Sequence, residues 1–164
     1  MTGDFMVSPA SGKVLKSDRN LISIFMRIYD DHINVAPFDG IVSEIKYERG
    51  GFLPAFLKRS ERNERNIIEL ATPHGVVKIA QVAGFLIRRI RCDVRVGERV
   101  KQGQPLGKIY FGSRVDVTLP EGFSPVVKRG QRVEHGRTII ARRGALDGTD
   151  SNTTATYSKI IKKV

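Results

Sequence analysis

A ten-residue pattern occurs twice in this chain and limits the folds that it can adopt. Residues 97–106 read GERVKQGQPL and residues 130–139 read GQRVEHGRTI, so both follow G-x-x-V-x-x-G-x-x-(L/I) at an offset of 33 residues. Glycine at the first and seventh positions permits a positive φ, which tight turns require. The Val and the final Leu or Ile can then face a core. The repeat therefore predicts two similar turns packed on one core.

Short segments rich in Val, Ile and Phe alternate with turn residues along most of the chain, which is typical of a mainly β fold. Segment 54–66 differs, because it lacks β-branched residues and is dense in charge. We expect an exposed loop with some helical turn there. The predicted strands are 13–15, 22–26, 32–35, 40–47, 67–71, 76–79, 86–92 and 106–110.

The composition excludes several classes of protein. One cysteine rules out an internal disulfide framework and a thiolate-rich zinc site. The longest apolar run, residues 82–87, is far shorter than the ~20 residues that span a bilayer. No signal-peptide pattern is visible, so we expect a small domain from a reducing compartment. Its formal charge of +11 indicates a polyanionic neighbour, either nucleic acid or an anionic membrane surface.

The three histidines offer little chemistry by themselves. His74 and His135 lie in predicted turns, where histidines are usually solvated, and we expect that of both. His32 lies beside Asp30 and Asp31 and is equally compatible with a structural and a catalytic role. No metal-ligand spacing connects the three, so no metal site is expected. Phosphate-binding loops, G-x-S-x-G and H-E-x-x-H are absent from the sequence.

A Gly-Ser pair at residues 112–113 lies between two predicted strands. Val115, Val117 and Leu119 occupy alternate positions after the pair, as in a strand with one buried face. From the residues alone, the pair is interpreted as a bulge or tight turn that joins two strands.

The repeat and two strand starts resemble one known architecture. The repeat resembles the hammerhead turns of barrel-sandwich folds such as biotinyl and lipoyl carrier domains. Residues 9–14 (PASGKV) and 37–42 (PFDGIV) resemble the Pro-x-x-Gly-x-Val strand start of the same folds. No hairpin here presents a carrier lysine, so the carrier function does not follow. We expect a barrel-sandwich-hybrid-like β-sandwich or barrel with short helical or loop excursions, as one domain over residues 1–144 before a flexible basic tail, 145–164.

Eight short stretches carry a wider resemblance, in order, between residues 9 and 142. They are SIFM (23–26), DHINVAPFDG (31–40), GFLPA (51–55), NERN (63–66), QVAG (81–84), RRIRC (88–92), GQ (103–104) and FGSRVD (111–116). Together they resemble the short, single-domain type of the phosphatidylserine decarboxylase family, including archaeal proteins that act on archaetidylserine. The position of the Gly-Ser pair near the C-terminus agrees with that family.

The resemblance implies a pyruvoyl enzyme that is made by self-cleavage. Ser113 would attack the carbonyl of Gly112, and the chain would divide into a large piece, 1–112, and a small piece, 113–164. Ser113 would become the covalent pyruvoyl cofactor, which forms a Schiff base with the substrate's amine. A serine phospholipid would lose carbon dioxide and become the ethanolamine phospholipid. His32 matches the family histidine near the pyruvoyl group and is the candidate acid/base.

One position departs from the family pattern. Relatives usually have Pro-Ala-Asp-Gly at the first strand start, and that Asp is thought to join a histidine in activating the serine. Here the residue is Ser11, which cannot hold an imidazolium by charge. Three explanations stay open: slower cleavage, a carboxylate supplied by Asp39 or Asp31, or a different relay in short members.

The resemblance also gives the positive charge a use, because the substrate is itself part of an anionic membrane. Basic residues near such a surface contribute about 1 kcal/mol each. We expect a peripheral protein on the cytoplasmic side of the cell membrane, with no nucleic-acid partner and with self-association into a homo-oligomer left open. The candidate lipid contacts in segment 51–65 are Phe52, Leu53, Phe56, Leu57, Lys58 and Arg59.

Two alternatives compete with this interpretation. One is a noncatalytic barrel-sandwich module whose basic surface binds nucleic acid or another protein. The other is a degenerate family member that folds but does not mature, because Ser11 replaces the aspartate.

Overall fold

The described residues form β-strands and no helix, which confirms the mainly β prediction. The structure is a computed structural model that describes residues 3–27, 30, 32–50, 63–84, 90–110 and 113–144. Its strands are β1 (Phe5–Val7), β2 (Gly12–Ser17), β3 (Leu21–Phe25), β4 (Ile33–Val35), β5 (Gly40–Glu48), β6 (Arg65–Thr72), β7 (Gly75–Val82), β8 (Ile90–Cys92), β9 (Arg99–Val100), β10 (Pro105–Ile109), β11 (Arg114–Thr118), β12 (Phe123–Pro125), β13 (Arg132–Val133) and β14 (Ile139–Arg143).

Three antiparallel sheets build the described fold. The largest has eight strands in the order β13-β2-β3-β11-β7-β6-β5-β9, and the two smaller sheets have the orders β4-β10-β8 and β1-β14-β12. Strand β11 lies at the middle of the large sheet, where it pairs with β3 on one side and β7 on the other. Period-two patterns direct one face inward, as at Ile68 and Leu70 of β6 and Val115 and Val117 of β11, all fully buried.

The repeat forms two similar turns, as its glycines predict. Gly97 and Gly130 have φ of 94° and 90°, and the second glycines, Gly103 and Gly136, have φ of 84° and 70°. A positive φ is energetically unfavourable for a residue with a Cβ atom, which explains why these positions are glycine. The two turns also meet, because a Cβ on Gly136 would lie 3.9 Å from the Cα of Gly103.

Each turn is hydrogen-bonded to one of the two similar strand starts. Gly97 N donates to Val42 O at 2.7 Å, and Gly130 N donates to Val14 O at 2.8 Å. Both valine side chains are buried in the core. The first residue of each turn is therefore hydrogen-bonded to a strand residue that is itself fixed by packing. The fold therefore has an internal two-part frame, which pairs segment 9–14 with turn 130–139 and segment 37–42 with turn 97–106.

The glycine of each strand start lies against a neighbouring strand. A Cβ on Gly12 would be 2.1 Å from Phe25 O, and one on Gly40 would be 2.8 Å from Ala71 O. Real Cβ contacts are not that short, so only glycine fits at either position without movement of the backbone. The Pro-x-x-Gly-x-Val pattern thus records a close approach of two strands.

The predicted excursion at 54–66 differs from the structure at its end. Residues 51–62 lie outside the described ranges, but Arg65 and Asn66 already belong to β6. Asn63 and Asn66 are 1% and 3% exposed, so they are buried rather than part of an exposed loop. Their charged and polar neighbours hid the start of β6, because a strand is recognised in sequence by its β-branched residues.

The two turn histidines are also less exposed than predicted. The His74 ring lies 5.6 Å from the Phe38 ring and 5.0 Å from the Phe123 ring, between centroids. The His135 side chain contacts Ser11, as described below. Both histidines are half-buried. The expectation of solvated rings is therefore wrong, because residues distant in the chain cover each turn.

Candidate active site

One edge of the eight-stranded sheet collects the ends of five strands. The paired residues along this row belong to β3, β11, β7, β6 and β5. They are Phe25, Arg114, Val82, Arg65 and Glu48, in that order across the sheet. We call this row the Ser113 edge, because Ser113 directly precedes Arg114.

Ser113 is fully buried at this edge, with 0% of its surface exposed. Its hydroxyl donates to the carbonyl oxygen of Tyr110 at 2.5 Å, and its own carbonyl oxygen accepts from the amide of Met26 at 3.0 Å. Tyr110 follows β10 and Ser113 precedes β11, so the two sheets are linked here. Gly112, the other half of the predicted Gly-Ser pair, lies outside the described residues. A buried serine between two rigid strands has a fixed hydroxyl, which nucleophilic chemistry requires.

His32 lies beside the end of the same strand, β10. Its carbonyl oxygen accepts from Ile109 N at 3.1 Å, one residue before Tyr110. Because residues two apart in an extended chain share a face, His32 is on the side of β4 that holds Asn34, which is fully buried. The backbone of His32 and the hydroxyl of Ser113 therefore bond to adjacent residues of one strand end.

Ser11 has a different partner from the one that the family pattern suggests. Its Oγ lies 2.8 Å from His135 Nδ1 and accepts the backbone N–H of His135 at 3.0 Å. Since that N–H already occupies the hydroxyl oxygen as an acceptor, the hydroxyl proton is free to point to Nδ1. No local sequence pattern indicates this pair, because its members are 124 residues apart.

Of the two carboxylates proposed as substitutes for the family Asp, only Asp39 lies within the described residues. Asp39 Oδ1 accepts the N–H of Gln102 at 2.7 Å, before the start of β5. The opposite end of β5, at Glu48, is the one in the Ser113 edge. Asp31 lies outside the described residues. Asp30 is 8% exposed and accepts from Arg27 N at 2.8 Å and from the Arg132 guanidinium.

Charged groups beside the Ser113 edge are arranged in pairs. Arg114 Nε lies 2.9 Å from Asp116 Oδ1, and both side chains are largely buried. Farther along the edge, the Tyr47 hydroxyl donates to Glu64. Partial desolvation and this hydrogen bond raise the pKa of Tyr47 to about 12. Among the described residues, Arg114 and Glu64 at this edge thus each have a nearby side-chain partner, Asp116 and Tyr47 respectively.

Three buried amides near this edge were missed as candidates. Asn34, Asn66 and Gln81 are 0%, 3% and 0% exposed. Asn66 Nδ2 donates to Gln81 Oε1, and Gln81 Nε2 donates to Asn34 Oδ1, both at 3.0 Å. Strand alternation indicates that these amides face inward, since Asn66 is two residues before the buried Ile68 and Gln81 is two residues after the buried Ile79. That inference needs the ends of β6 and β7, which sequence patterns do not define.

The predicted lipid contacts fall outside the described residues. Phe52, Leu53, Phe56, Leu57, Lys58 and Arg59 all belong to the segment 51–62, and the predicted tail, 145–164, is likewise outside. Within the described ranges there is no helix with the length and hydrophobicity needed to cross a bilayer. The membrane contact therefore stays a prediction.

Comparisons with known proteins point to one family. The sequence profile of phosphatidylserine decarboxylase matches residues 3–141. The chain is 49% identical over 137 residues to "Putative archaetidylserine decarboxylase proenzyme" of Methanosarcina mazei, which covers 84% of this chain and 66% of that protein. It is 45% identical over 146 residues to the phosphatidylserine decarboxylase proenzyme of Thermobifida fusca, which covers 86% and 67%. The chain thus spans about two thirds of the length of these relatives. No solved structure matches.

Proposed function

Because the chain belongs to the phosphatidylserine decarboxylase family, we propose that it is a self-cleaving, pyruvoyl-dependent decarboxylase of a serine phospholipid. The substrate is phosphatidylserine or archaetidylserine, and the products are the ethanolamine lipid and carbon dioxide. The observation that carries this proposal is Ser113, which is fully buried between β10 and β11 with its hydroxyl fixed on Tyr110 O.

The fold supports self-cleavage between residues 112 and 113. Attack of Ser113 Oγ on the preceding carbonyl exchanges the amide for an ester and leaves an amine on residue 113. Elimination then breaks the ester, releases the upstream piece as a carboxylate and leaves a dehydroalanine. Water adds to the dehydroalanine, ammonia leaves, and a pyruvoyl group remains on the downstream piece. The products have 112 and 52 residues.

The cleaved pieces are held together by the large sheet. Strand β11, in the downstream piece, pairs with β3 and β7 of the upstream piece. Strands β13 and β14 make further pairs with β2 and β1. Cutting the chain beside β11 therefore leaves the hydrogen bonds of its sheet in place.

The residues around Ser113 suit a pyruvoyl group at that position. Such a group supplies a ketone that combines with the serine amine of the lipid and accepts the electrons released with carbon dioxide. Met26 N already donates to the carbonyl oxygen of residue 113, so one donor faces the atom on which negative charge would collect. His32, beside the same strand end, is the proposed proton donor to the carbon that loses carbon dioxide.

The lipid substrate places the enzyme at a membrane surface. A formal charge of +11 favours the approach to anionic headgroups, because each basic residue near the surface contributes about 1 kcal/mol. We therefore propose peripheral attachment on the cytoplasmic side of the cell membrane. The proposed contacts are six apolar and basic residues of segment 51–65, namely Phe52, Leu53, Phe56, Leu57, Lys58 and Arg59.

Intact-mass measurement of the purified chain tests self-cleavage. We expect two pieces, with a pyruvoyl group blocking the smaller one, and we expect Ser113→Ala to remain a single chain. Ser8→Ala is the matched control, because Ser8 is also fully buried and donates to a backbone carbonyl, Ala10 O, at 2.7 Å. A wild-type chain that stays intact after long incubation would favour the degenerate member or the noncatalytic module.

Carbon dioxide release from vesicles that contain a serine phospholipid tests the reaction. We expect turnover by wild type, none by Ser113→Ala, and a loss of 100-fold or more in cleaved His32→Ala protein, within the range for a general acid or base. His74→Ala serves as the control histidine, since its ring packs on Phe38 and Phe123. Release by Ser113→Ala would exclude the assigned cofactor, and normal turnover by His32→Ala would exclude the assigned acid.

A further inference from the structure

Asn66, Gln81 and Asn34 form a chain of three buried amide side chains, which we call the amide chain. Burying an amide is costly unless its polar atoms are paired, so such groups are rarely kept without a specific arrangement. Here each amide passes a hydrogen bond to the next, at 3.0 Å in both steps. The chain joins β6, β7 and β4, and Gln81 is its centre.

Two atoms that can only accept fix the direction of the chain. Gln81 Nε2 also lies 3.5 Å from Arg91 O, and Asn34 Nδ2 lies 3.8 Å from Met26 Sδ. A carbonyl and a thioether have no proton to donate, so both must face NH₂ groups. Gln81 therefore turns its carbonyl oxygen to Asn66, and Asn34 turns its carbonyl oxygen to Gln81. Neither amide can flip without losing a partner.

Gln81 connects two different sheets through this arrangement. It belongs to β7 of the eight-stranded sheet, while Asn34 and Arg91 belong to β4 and β8 of the three-stranded sheet. Between those strands lies Gly107 of β10, where a Cβ would be 1.9 Å from Arg91 O and 3.1 Å from Gln81 Nε2. The absence of a side chain at Gly107 thus leaves room for the glutamine. One side chain holds both outer strands of the smaller sheet.

Both strands that lead to the candidate site belong to this clamped sheet. Strand β4 follows His32, which is two residues before Asn34. Strand β10 ends next to Tyr110, whose carbonyl accepts the hydroxyl of Ser113. Ser113 itself continues into β11, which pairs directly with β7. The position of His32 relative to residue 113 therefore depends on how the two sheets are joined at Gln81.

We propose that Gln81 is a positioning residue for decarboxylation: by clamping β4 and β8 to the large sheet, it sets the place of His32 relative to residue 113. The inference rests on the proposed function. A displacement of about 1 Å at a reacting group can cost about 100-fold in rate. A clamp that acts only on the geometry of the reacting groups predicts a loss in kcat and not in KM.

Comparison of Gln81→Met with Gln102→Met tests the proposal. Gln102 is the control, because its Nε2, like that of Gln81, donates two hydrogen bonds to distant segments, here to Phe5 O and Pro37 O, both at 3.0 Å. We expect both variants to lower the melting temperature. Only Gln81→Met should lower kcat per cleaved chain, by at least tenfold, with KM for phosphatidylserine vesicles within twofold of wild type. The proposal would be overturned if neither variant lowered kcat, or if both variants lowered it by the same factor.

Amide hydrogen exchange measures the clamp without any turnover. In the Ser113→Ala chain, Gln81→Met should speed the exchange of the Ile109 N–H, which bonds His32 O, at least tenfold more than Gln102→Met does. Unchanged exchange would reject the clamp, even if the enzyme is active. If wild type neither cleaves nor releases carbon dioxide, the proposed function fails while this measurement still decides on the clamp.

A milder variant covers the case in which Gln81→Met does not fold. Asn66→Leu keeps the size of the side chain and removes only the first bond of the amide chain. We expect a threefold to tenfold loss of kcat and faster exchange at Ile109. Wild-type values for both would contradict the proposal.

Discussion

The two parts of the internal frame make the same backbone contact with different chemistry. In the Asp39 half (segment 37–42 with turn 97–106), Asp39 Oδ1 accepts the N–H of Gln102 at 2.7 Å. In the Ser11 half (segment 9–14 with turn 130–139), Ser11 Oγ accepts the N–H of His135 at 3.0 Å. Gln102 and His135 occupy the same position of the repeat. The strand-start residue therefore caps the turn in both halves.

The halves differ in what lies next to them. Strand β2 of the Ser11 half pairs Lys13 with Phe25, which pairs with Arg114 in the Ser113 edge. Strand β5 of the Asp39 half starts eight residues, or about 26 Å, from Glu48, its member of that edge. The two turns are thus equivalent in structure, but only the Ser11 half is connected through one neighbouring strand to Arg114 beside Ser113. Ser11 caps its turn, and its half lies close enough to the Ser113 edge for a role in catalysis to be tested.

The largest difference is expected at the strand-start glycines. Gly12→Ala would place a Cβ 2.1 Å from Phe25 O, whereas Gly40→Ala would place one 2.8 Å from Ala71 O. Overpacking against backbone costs typically 1–3 kcal/mol and sometimes more, so we expect about 3 kcal/mol or more for Gly12→Ala and about 2 kcal/mol for Gly40→Ala. Urea unfolding of both variants in the Ser113→Ala chain measures these losses.

Gly12→Ala and Gly40→Ala also distinguish an effect on the stability of the frame from an effect on self-cleavage at the candidate site. Phe25 pairs with Arg114, so Gly12→Ala should also slow self-cleavage on a denaturing gel, while Gly40→Ala should cleave normally when folded. Equal cleavage by the two folded variants would mean that the Ser113 edge tolerates movement of β3.

The capping side chains should show the next largest effect. Asp39→Ala removes a charged acceptor from a backbone N–H and Ser11→Ala removes a neutral one. Hydrogen bonds to charged groups contribute about 1.5–3 kcal/mol and neutral ones about 0.5–1.5 kcal/mol. We expect losses of about 2 and about 1 kcal/mol by thermal unfolding. A larger loss for Ser11→Ala would show that the His135 ring, and not the cap, dominates that half.

The turn glycines should respond alike in the two halves. Gly97 and Gly130 have φ of 94° and 90°, and a left-handed backbone costs an L-residue about 1–2 kcal/mol. Alanine also lowers the entropy of the unfolded chain, which returns about 0.4–1 kcal/mol. Each Gly→Ala variant should therefore lose about 1 kcal/mol. Losses that differ by more than 1 kcal/mol would show that the two turns are not equivalent.

The frame could be predicted from sequence because its causes are local. Paired glycines demand turns, and runs such as 40–47 and 67–71 are rich in β-branched residues and bounded by turn residues. Short strands were missed, among them β9 (Arg99–Val100) and β13 (Arg132–Val133), each of two residues. Such strands exist only because a distant partner pairs with them, and two residues carry no period of their own.

The site could be predicted only in part. Ser113 and His32 came from the family resemblance, since the residues alone indicated a turn and an ambiguous histidine. Gln81 belongs to one of the matching stretches, but no role for it can be predicted from sequence, because its inward position depends on the register of β7 with β11. The Ser11–His135 contact depends on the meeting of two chain segments. Sequence patterns report periodicity and turns, but not which side chains meet across the fold.

The smallest expected effect decides what Ser11 does. Ser11→Asp converts the cap of the Ser11 half into that of the Asp39 half, and its carboxylate can accept the same N–H of His135. We expect a gain of about 0.5 kcal/mol in the free energy of unfolding, below the full difference between charged and neutral acceptors because the site is already satisfied.

Self-cleavage should stay within twofold of wild type in Ser11→Asp, because both hydrogen bonds of Ser11 go to His135 and β3 separates β2 from β11. The reciprocal change, Asp39→Ser, is the control and should lose about 1 kcal/mol without an effect on cleavage. The time course of the two pieces on a denaturing gel measures both variants. If Ser11→Asp cleaves several times faster while Asp39→Ser does not, a carboxylate in the Ser11 half activates Ser113, and the two halves are equivalent in fold only.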